Sequence, residues 1–114
     1  MLVLLLVPSI CWAPPLDVCK SSGRRTSDAA ILASAGVLCG VLIETNGAAD
    51  ATVVVWDNAT TTGTAETDEL FKMIVVGADY RGGVAYPLPI AASDGLYVDV
   101  TGAGAAYIIY YRTY

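Results

Sequence analysis

Histidine is absent from this 114-residue chain. Zinc and haem sites therefore lose their commonest ligand, and a serine or cysteine nucleophile loses its usual base. Charge is scarce as well: 15% of residues are charged against a usual quarter or so. The six basic residues are outnumbered by eleven acidic ones, for a net charge of −5. A basic stripe able to track nucleic acid is missing, so nucleic acid is not an expected partner. Three cysteines, Cys11, Cys19 and Cys39, make an odd count without metal-knuckle spacing. A Cys11–Cys19 bridge would close a short loop around Pro14-Pro15, whereas Cys39 reads as a small buried hydrophobe inside an apolar run.

What the chain has in abundance is apolar sequence, at 55% of residues. It is long enough for one domain with a single core and too apolar to be disordered. The segment Gly36–Gly63 organises the rest. Val37, Cys39, Val41 and Ile43 alternate with Leu38, Gly40 and Leu42, and Val53 and Val55 alternate with Val54 and Trp56. Apolar residues on both faces mark central strands, so these two are expected to form an antiparallel pair, with Asn46-Gly47 starting the turn between them. Ser27–Ser34 reads as the first strand of a hairpin into Val37. Leu70–Val76 reads as a strand largely buried on both faces. Val84–Ile90 alternates, but Pro87 and Pro89 cannot donate ladder hydrogen bonds and place it at an edge. Leu96–Thr101 and Ala105–Tyr114, joined by Gly102-Ala103-Gly104, read as a terminal hairpin.

The fold expected is all-β: an antiparallel, jelly-roll-like β-sandwich with an extended hydrophobic N-terminal arm. Residues 1–23 form the arm and linker, and residues 24–114 the sandwich. Its core is expected from Leu38, Val41, Ile43, Val53, Val55, Ile74, Leu88, Leu96, Val98, Val100 and Ile109. Lys20–Thr26 is the one basic cluster and reads as a solvated linker.

Met1–Ala13 (MLVLLLVPSICWA) has two readings. It resembles a secretory signal peptide, although no Lys or Arg precedes the apolar run and Pro8 interrupts it. It is too short to span a bilayer. The preferred reading is an arm that Pro14-Pro15 directs away from the domain and that docks on a neighbouring subunit, with Leu2, Leu4 and Leu6 in the contact and Trp12 as anchor. Tyr107, Tyr110, Tyr111 and Tyr114 occupy both faces of the final strand, so some of them are expected at an interface as well.

Candidate chemistry is sparse. Asp57, Glu66, Asp68 and Glu69 gather near one Thr-rich loop, but loop carboxylates are usually solvated, and the calcium-loop pattern fails at Ala59 and Thr61. Asn58-Ala59-Thr60 is an N-glycosylation triplet. With no glycine-rich strand-to-helix turn for phosphate either, no enzyme, cofactor or metal is expected.

The order of "SAGVLCGVLIET", "ATVVVWDNATTTGT", "YPLPIAASDGLYVDVTG" and "AAYIIYYRTY" resembles the small β-sandwich accessory virion proteins of tailed bacteriophages. The resemblance covers residues 24–114 and departs at the hydrophobic beginning. It implies a cement, decoration or head-fibre protein on the capsid surface that binds the major capsid protein as a homo-oligomer, with a trimer favoured. The competing expectation is a secreted or cell-surface module with a cleaved signal peptide. Such a module would recognise carbohydrate or protein through the Thr-rich loop and Tyr80, Tyr86 and Tyr97.

Overall fold

The computed structural model describes residues 18–60, 68–79 and 83–113. Among the described residues nine strands form two antiparallel sheets: β1 (Lys20–Ser21), β2 (Ala29–Leu32), β3 (Gly36–Glu44), β4 (Ala51–Trp56), β5 (Glu69–Val75), β6 (Gly83–Ala85), β7 (Ile90–Ala92), β8 (Leu96–Thr101) and β9 (Ala106–Thr113). The five-stranded sheet has the order β1-β9-β3-β6, with β7 also on β3, and the four-stranded sheet has the order β2-β8-β4-β5. The pairings nest. β4 pairs β5, β3 pairs β6 and β7, β2 pairs β8, and β1 pairs β9. Rolling this long double ribbon brings β9 onto β3 and β8 onto β4. The result is jelly-roll connectivity, the arrangement expected from the sequence.

The core lies between the sheets. Leu38, Val41, Ile43, Tyr107 and Ile109 from one sheet meet Ala51, Val53, Val55, Leu96 and Val98 from the other, all buried. Alternation accounts for the choice: Val41 pairs with Ile109 and Ile43 with Tyr107, so both members of each pair face inward. Val100 and Leu88 pack against this core from its margin.

Several expectations need correction. β3 is a central strand, but β4 is not its hydrogen-bonded neighbour; the two lie in opposite sheets. Inward apolar residues are required whether two strands sit side by side or face to face, so alternation alone does not separate a hairpin from an arch. Residues 45–50 form the arch. The Thr45 hydroxyl donates to the Gly77 carbonyl (2.6 Å), and Asp50 Oδ1 accepts from the Gly77 amide (2.8 Å). For the same reason β2 pairs β8 instead of β3, and β8 and β9 form an arch instead of a terminal hairpin. A side chain at Gly102 would strike the Asp50 carbonyl oxygen, so the two arches pack at one end of the sandwich.

β5 is an edge strand and is not buried on both faces. Met73 and Phe71 pair with Val53 and Val55 and turn inward, leaving Ile74 opposite Thr52 on the outside at 60% exposure, so Ile74 is not a core residue. Val84–Ile90 is two short edge strands around Tyr86–Pro89. There the Leu88 amide, the one donor between two prolines, bonds the Cys39 carbonyl (2.7 Å).

Cys39 is not a free hydrophobe: it forms a disulfide with Cys19, their Cα atoms 6.4 Å apart. The bridge straddles β9, which runs between β1 and β3. The sheet also begins earlier than the expected linker boundary, because Lys20-Ser21 pair with Tyr111 and Tyr110.

Candidate interaction surface

The outward residues of the five-stranded sheet form a largely apolar face. Gly40 is paired with Tyr110, Leu42 with both Ile108 and Val84, and Val37 with Arg112. These residues alternate with the core positions and so point away from it. Val84 is 60% and Tyr86 62% exposed. Gly40 has a steric role here, since a side chain on it would meet the Tyr86 ring and the Ala85 carbonyl. A glycine in an otherwise apolar strand signals such a close approach. Laid against β3, the Tyr86 ring meets Tyr110 edge-on, with centroids 6.0 Å apart and planes at 81°.

Beside this pair lies a cleft of about 100 Å³ lined by Val37, Tyr86, Pro87, Pro89 and Arg112 around the Cys19–Cys39 bridge. Val18, which leads into the bridge, is 65% exposed.

The four expected tyrosines part company. Tyr110 belongs to the outer face, and Tyr111 packs partly against the core. Tyr107 is a correction: it is 1% exposed, so within the folded domain it offers no interface. Its hydroxyl donates to the Ser27 carbonyl (2.7 Å), which lets a phenol sit in the core with its polar atom satisfied. Burial pushes its pKa up to about 12, with Arg25 acting in the opposite direction. Tyr114, Leu2, Leu4, Leu6, Trp12, Cys11, Tyr80 and Glu66 lie outside the described residues.

The outer face of the four-stranded sheet is more polar. Trp56 pairs with Tyr97, and its indole N–H donates to Asp99 Oδ2 (3.2 Å). Tyr86 and Tyr97, grouped in the recognition-module reading, therefore sit on opposite sheets and do not form one site. Asp57 is tied into the loop after β7: its carboxylate accepts from the Ser93 amide and hydroxyl and from the Asp94 and Gly95 amides. That carboxylate is a brace between loops. Among the described residues no group of three His, Cys, Asp or Glu side chains is placed to hold a metal ion.

Sequence reasoning missed Val84, the bridge and the cleft. Gly40 and the Pro87/Pro89 pair were the available signals, since the first permits close approach and the second ends a ladder. No family model matches the chain, and neither does any curated protein or solved structure.

Proposed function

We propose that this chain is a structural virion protein of a tailed bacteriophage, a capsid cement or decoration subunit that binds the major capsid protein and stabilises the head. The observation that carries this reading is the outer face of the five-stranded sheet, where Val84 and Tyr86 stand exposed beside Leu42, Ile108 and Tyr110. A contiguous apolar and aromatic face on a soluble domain is a contact surface. Jelly rolls recur among capsid and lectin domains, and fold alone does not choose between them. The choice rests on the sequence resemblance, which also favours a homotrimer.

Residues 1–13 add to the same role. Burying four of their leucine and valine side chains on a neighbouring subunit contributes about 6–12 kcal/mol before the cost of ordering the arm. The test is imaging of purified virions that carry the protein, with a chain lacking residues 1–13 compared for head binding. Density on the capsid lattice and weaker binding by the shortened chain support the reading; absence from the particle overturns it.

A second reading, a secreted or cell-surface binding module, is favoured by the Cys19–Cys39 bridge. Disulfides persist in oxidising surroundings, virion and cell surfaces included. Loss of residues 1–13 would also remove Cys11 and leave an even cysteine count. Mass measurement of the mature chain separates the two: a start at Pro14 or later supports secretion, an intact arm the virion role.

A further inference from the structure

We propose that the strap Cys19–Arg25 is an exchangeable edge element: the Cys19–Cys39 bridge latches it onto β9 of its own chain, and reduction of the bridge lets it pair with β9 of a second copy instead. This inference goes beyond the reading above and does not depend on it.

Among the described residues the strap is all that covers the side of β9 away from β3. Its hold is slight. β1 is two residues long, and no residue of Lys20–Arg25 is buried, so the strap adds no side chain to the core. Beyond β1 it is tied by the Ser22 amide to the Ile109 carbonyl (2.8 Å), by the two bonds that Arg25 exchanges with Tyr107 (2.9 Å each) and by the exposed Arg24–Glu44 ion pair (3.0 Å). The Ile109 amide is met by the Ser22 hydroxyl (2.9 Å) and not by a carbonyl, and Gly23 then turns the chain in open space with a φ of 76°. So short a ribbon without a buried face does not persist in water. The covalent bridge is what keeps the strap in place.

The bridge lines the cleft beside Tyr86, with Cys19 half-buried and Cys39 buried. The Arg112 guanidinium in the same lining favours thiolate there. A small dithiol entering the cleft attacks the Cys19 sulfur as its thiolate; the S–S bond breaks, and Cys39 leaves as a thiolate that takes up a proton. The second thiol of the reductant gives up its proton and attacks the mixed disulfide, which releases Cys19 as a thiol and the reductant as a cyclic disulfide. In sum two electrons and two protons pass from the dithiol to the bridge.

Once unlatched, the strap pivots at the exposed Thr26. Ser27 and Asp28 stay fastened, because the Tyr107 hydroxyl donates to the Ser27 carbonyl (2.7 Å) and the Val100 amide donates to Asp28 Oδ1 (2.8 Å). In extended form Cys19–Arg25 reaches about 24 Å, enough to cross to a copy lying alongside. The strap of a second copy fits the vacated edge with the register seen within one chain: Lys20 opposite Tyr111, Arg25 opposite Tyr107 and Arg24 beside Glu44. Each contact is replaced by an identical one, which is what makes exchange of an element between protomers a low-cost route to association. Cys19 then meets Cys39 of the other copy, and reoxidation seals the exchanged pair.

The test uses the full chain with Cys11→Ser, so that Cys19 and Cys39 are its only cysteines. Heavy-isotope and unlabelled copies are mixed at high concentration, reduced with dithiothreitol, reoxidised and digested without reductant. Cys19 peptides of one label joined to Cys39 peptides of the other are expected, together with a covalent multimer on a non-reducing gel. Bridges that join only like-labelled peptides overturn the proposal. A mixture never reduced should hold like-labelled bridges alone, and mixed bridges there overturn the latch. In dilute reduced chain the Tyr107 and Ile109 amides should exchange hydrogen about tenfold faster than in the oxidised chain, or more, while Val53, Val55 and Val98 keep their protection. Unchanged exchange at Tyr107 and Ile109, or a loss of protection throughout the domain, also overturns the proposal.

Discussion

Asp57, at the end of β4, holds Ser93 with both of the hydrogen bonds that residue can donate: its amide at 3.1 Å and its hydroxyl at 2.9 Å, both to Oδ2. The other carboxylate oxygen takes the Asp94 amide at 2.8 Å and the Gly95 amide at 3.4 Å. One side chain thus fastens the loop between β7 and β8 to the strand end beside it. A residue in a Thr-rich loop that reads as solvated acid is a structural brace.

Replacing Asp57 with Asn, which would turn donors toward these amides or keep only one acceptor oxygen, should cost about 1–3 kcal/mol. Urea unfolding checks this through a lower midpoint at unchanged slope.

The same contact fixes a pH dependence. Burial raises the Asp57 pKa, but the hydrogen bonds from Asp94, Ser93 and Gly95 outweigh it and hold the carboxyl below its ordinary 3.8. A carboxyl depressed in the folded state stabilises fully above its unfolded value and loses that contribution as pH falls through the folded one. The stability difference between the native chain and Asp57→Asn should therefore be constant near neutrality and shrink once the pH drops below about 3.8. Thermal melts across an acid series measure it.

Tyr107→Phe removes the bond to the Ser27 carbonyl and leaves that oxygen short of a partner, an expected loss of about 0.5–1.5 kcal/mol. Burial raises the phenol's pKa to about 12, so its contribution is complete below the unfolded value near 10 and is lost as pH rises through the folded value. Ultraviolet titration of the native chain should show Tyr107 ionising late, and Tyr107→Phe should abolish that step.

Gly40→Ala should destabilise the five-stranded sheet by about 1–3 kcal/mol through overpacking against Tyr86 and the Ala85 carbonyl. Combining it with Tyr86→Ala relieves the ring clash and not the backbone one. A double-mutant cycle should therefore show partial rescue, with an interaction energy beyond about 0.5 kcal/mol.

Opening the Cys19–Cys39 bridge by Cys19→Ser with Cys39→Ser frees a loop spanning 20 residues of sequence separation. On the chain-entropy account this costs about 3 kcal/mol. Calorimetry should show a lowered melting temperature and the same β-sheet circular dichroism below it.

The strands and most of the core were legible in the sequence because alternation reports which side chains face inward: Val41, Val53, Val98 and Ile109 fall where their parity puts them, whereas Leu38, of the opposite parity to Val41, faces inward with it because the β3–β9 register shifts between Leu38 and Gly40. Parity does not report which strand lies beside which. That is why β3 and β4 read as a hairpin although the arch held by Thr45 and Asp50 sends them to opposite sheets. Ile74 failed for a related reason, since a run as apolar as LFKMIVV hides which parity is inward until Met73 and Phe71 are seen opposite Val53 and Val55. Cys39 read as an inert hydrophobe because its partner lies across an intervening strand, a proximity that sequence spacing does not encode. The candidate surface was legible only in pieces: Tyr110 from composition, Gly40 and the two prolines from backbone grammar, and Val84 not at all.

The nesting of the ladders also governs the order in which the chain can acquire structure as it leaves the ribosome. Among the described strands only β4 and β5 are both consecutive in sequence and paired, so only that ribbon can close early. Every other ladder waits for a distant partner, and Lys20 waits for Tyr111 near the opposite end of the chain. β9 separates β1 from β3, so the five-stranded sheet has no spine until Ala106–Thr113 has been synthesised. Such long-range pairing folds slowly. A chain that lacked the whole of Ala106–Thr113 would therefore have β3 unpaired on one side and open to aggregation.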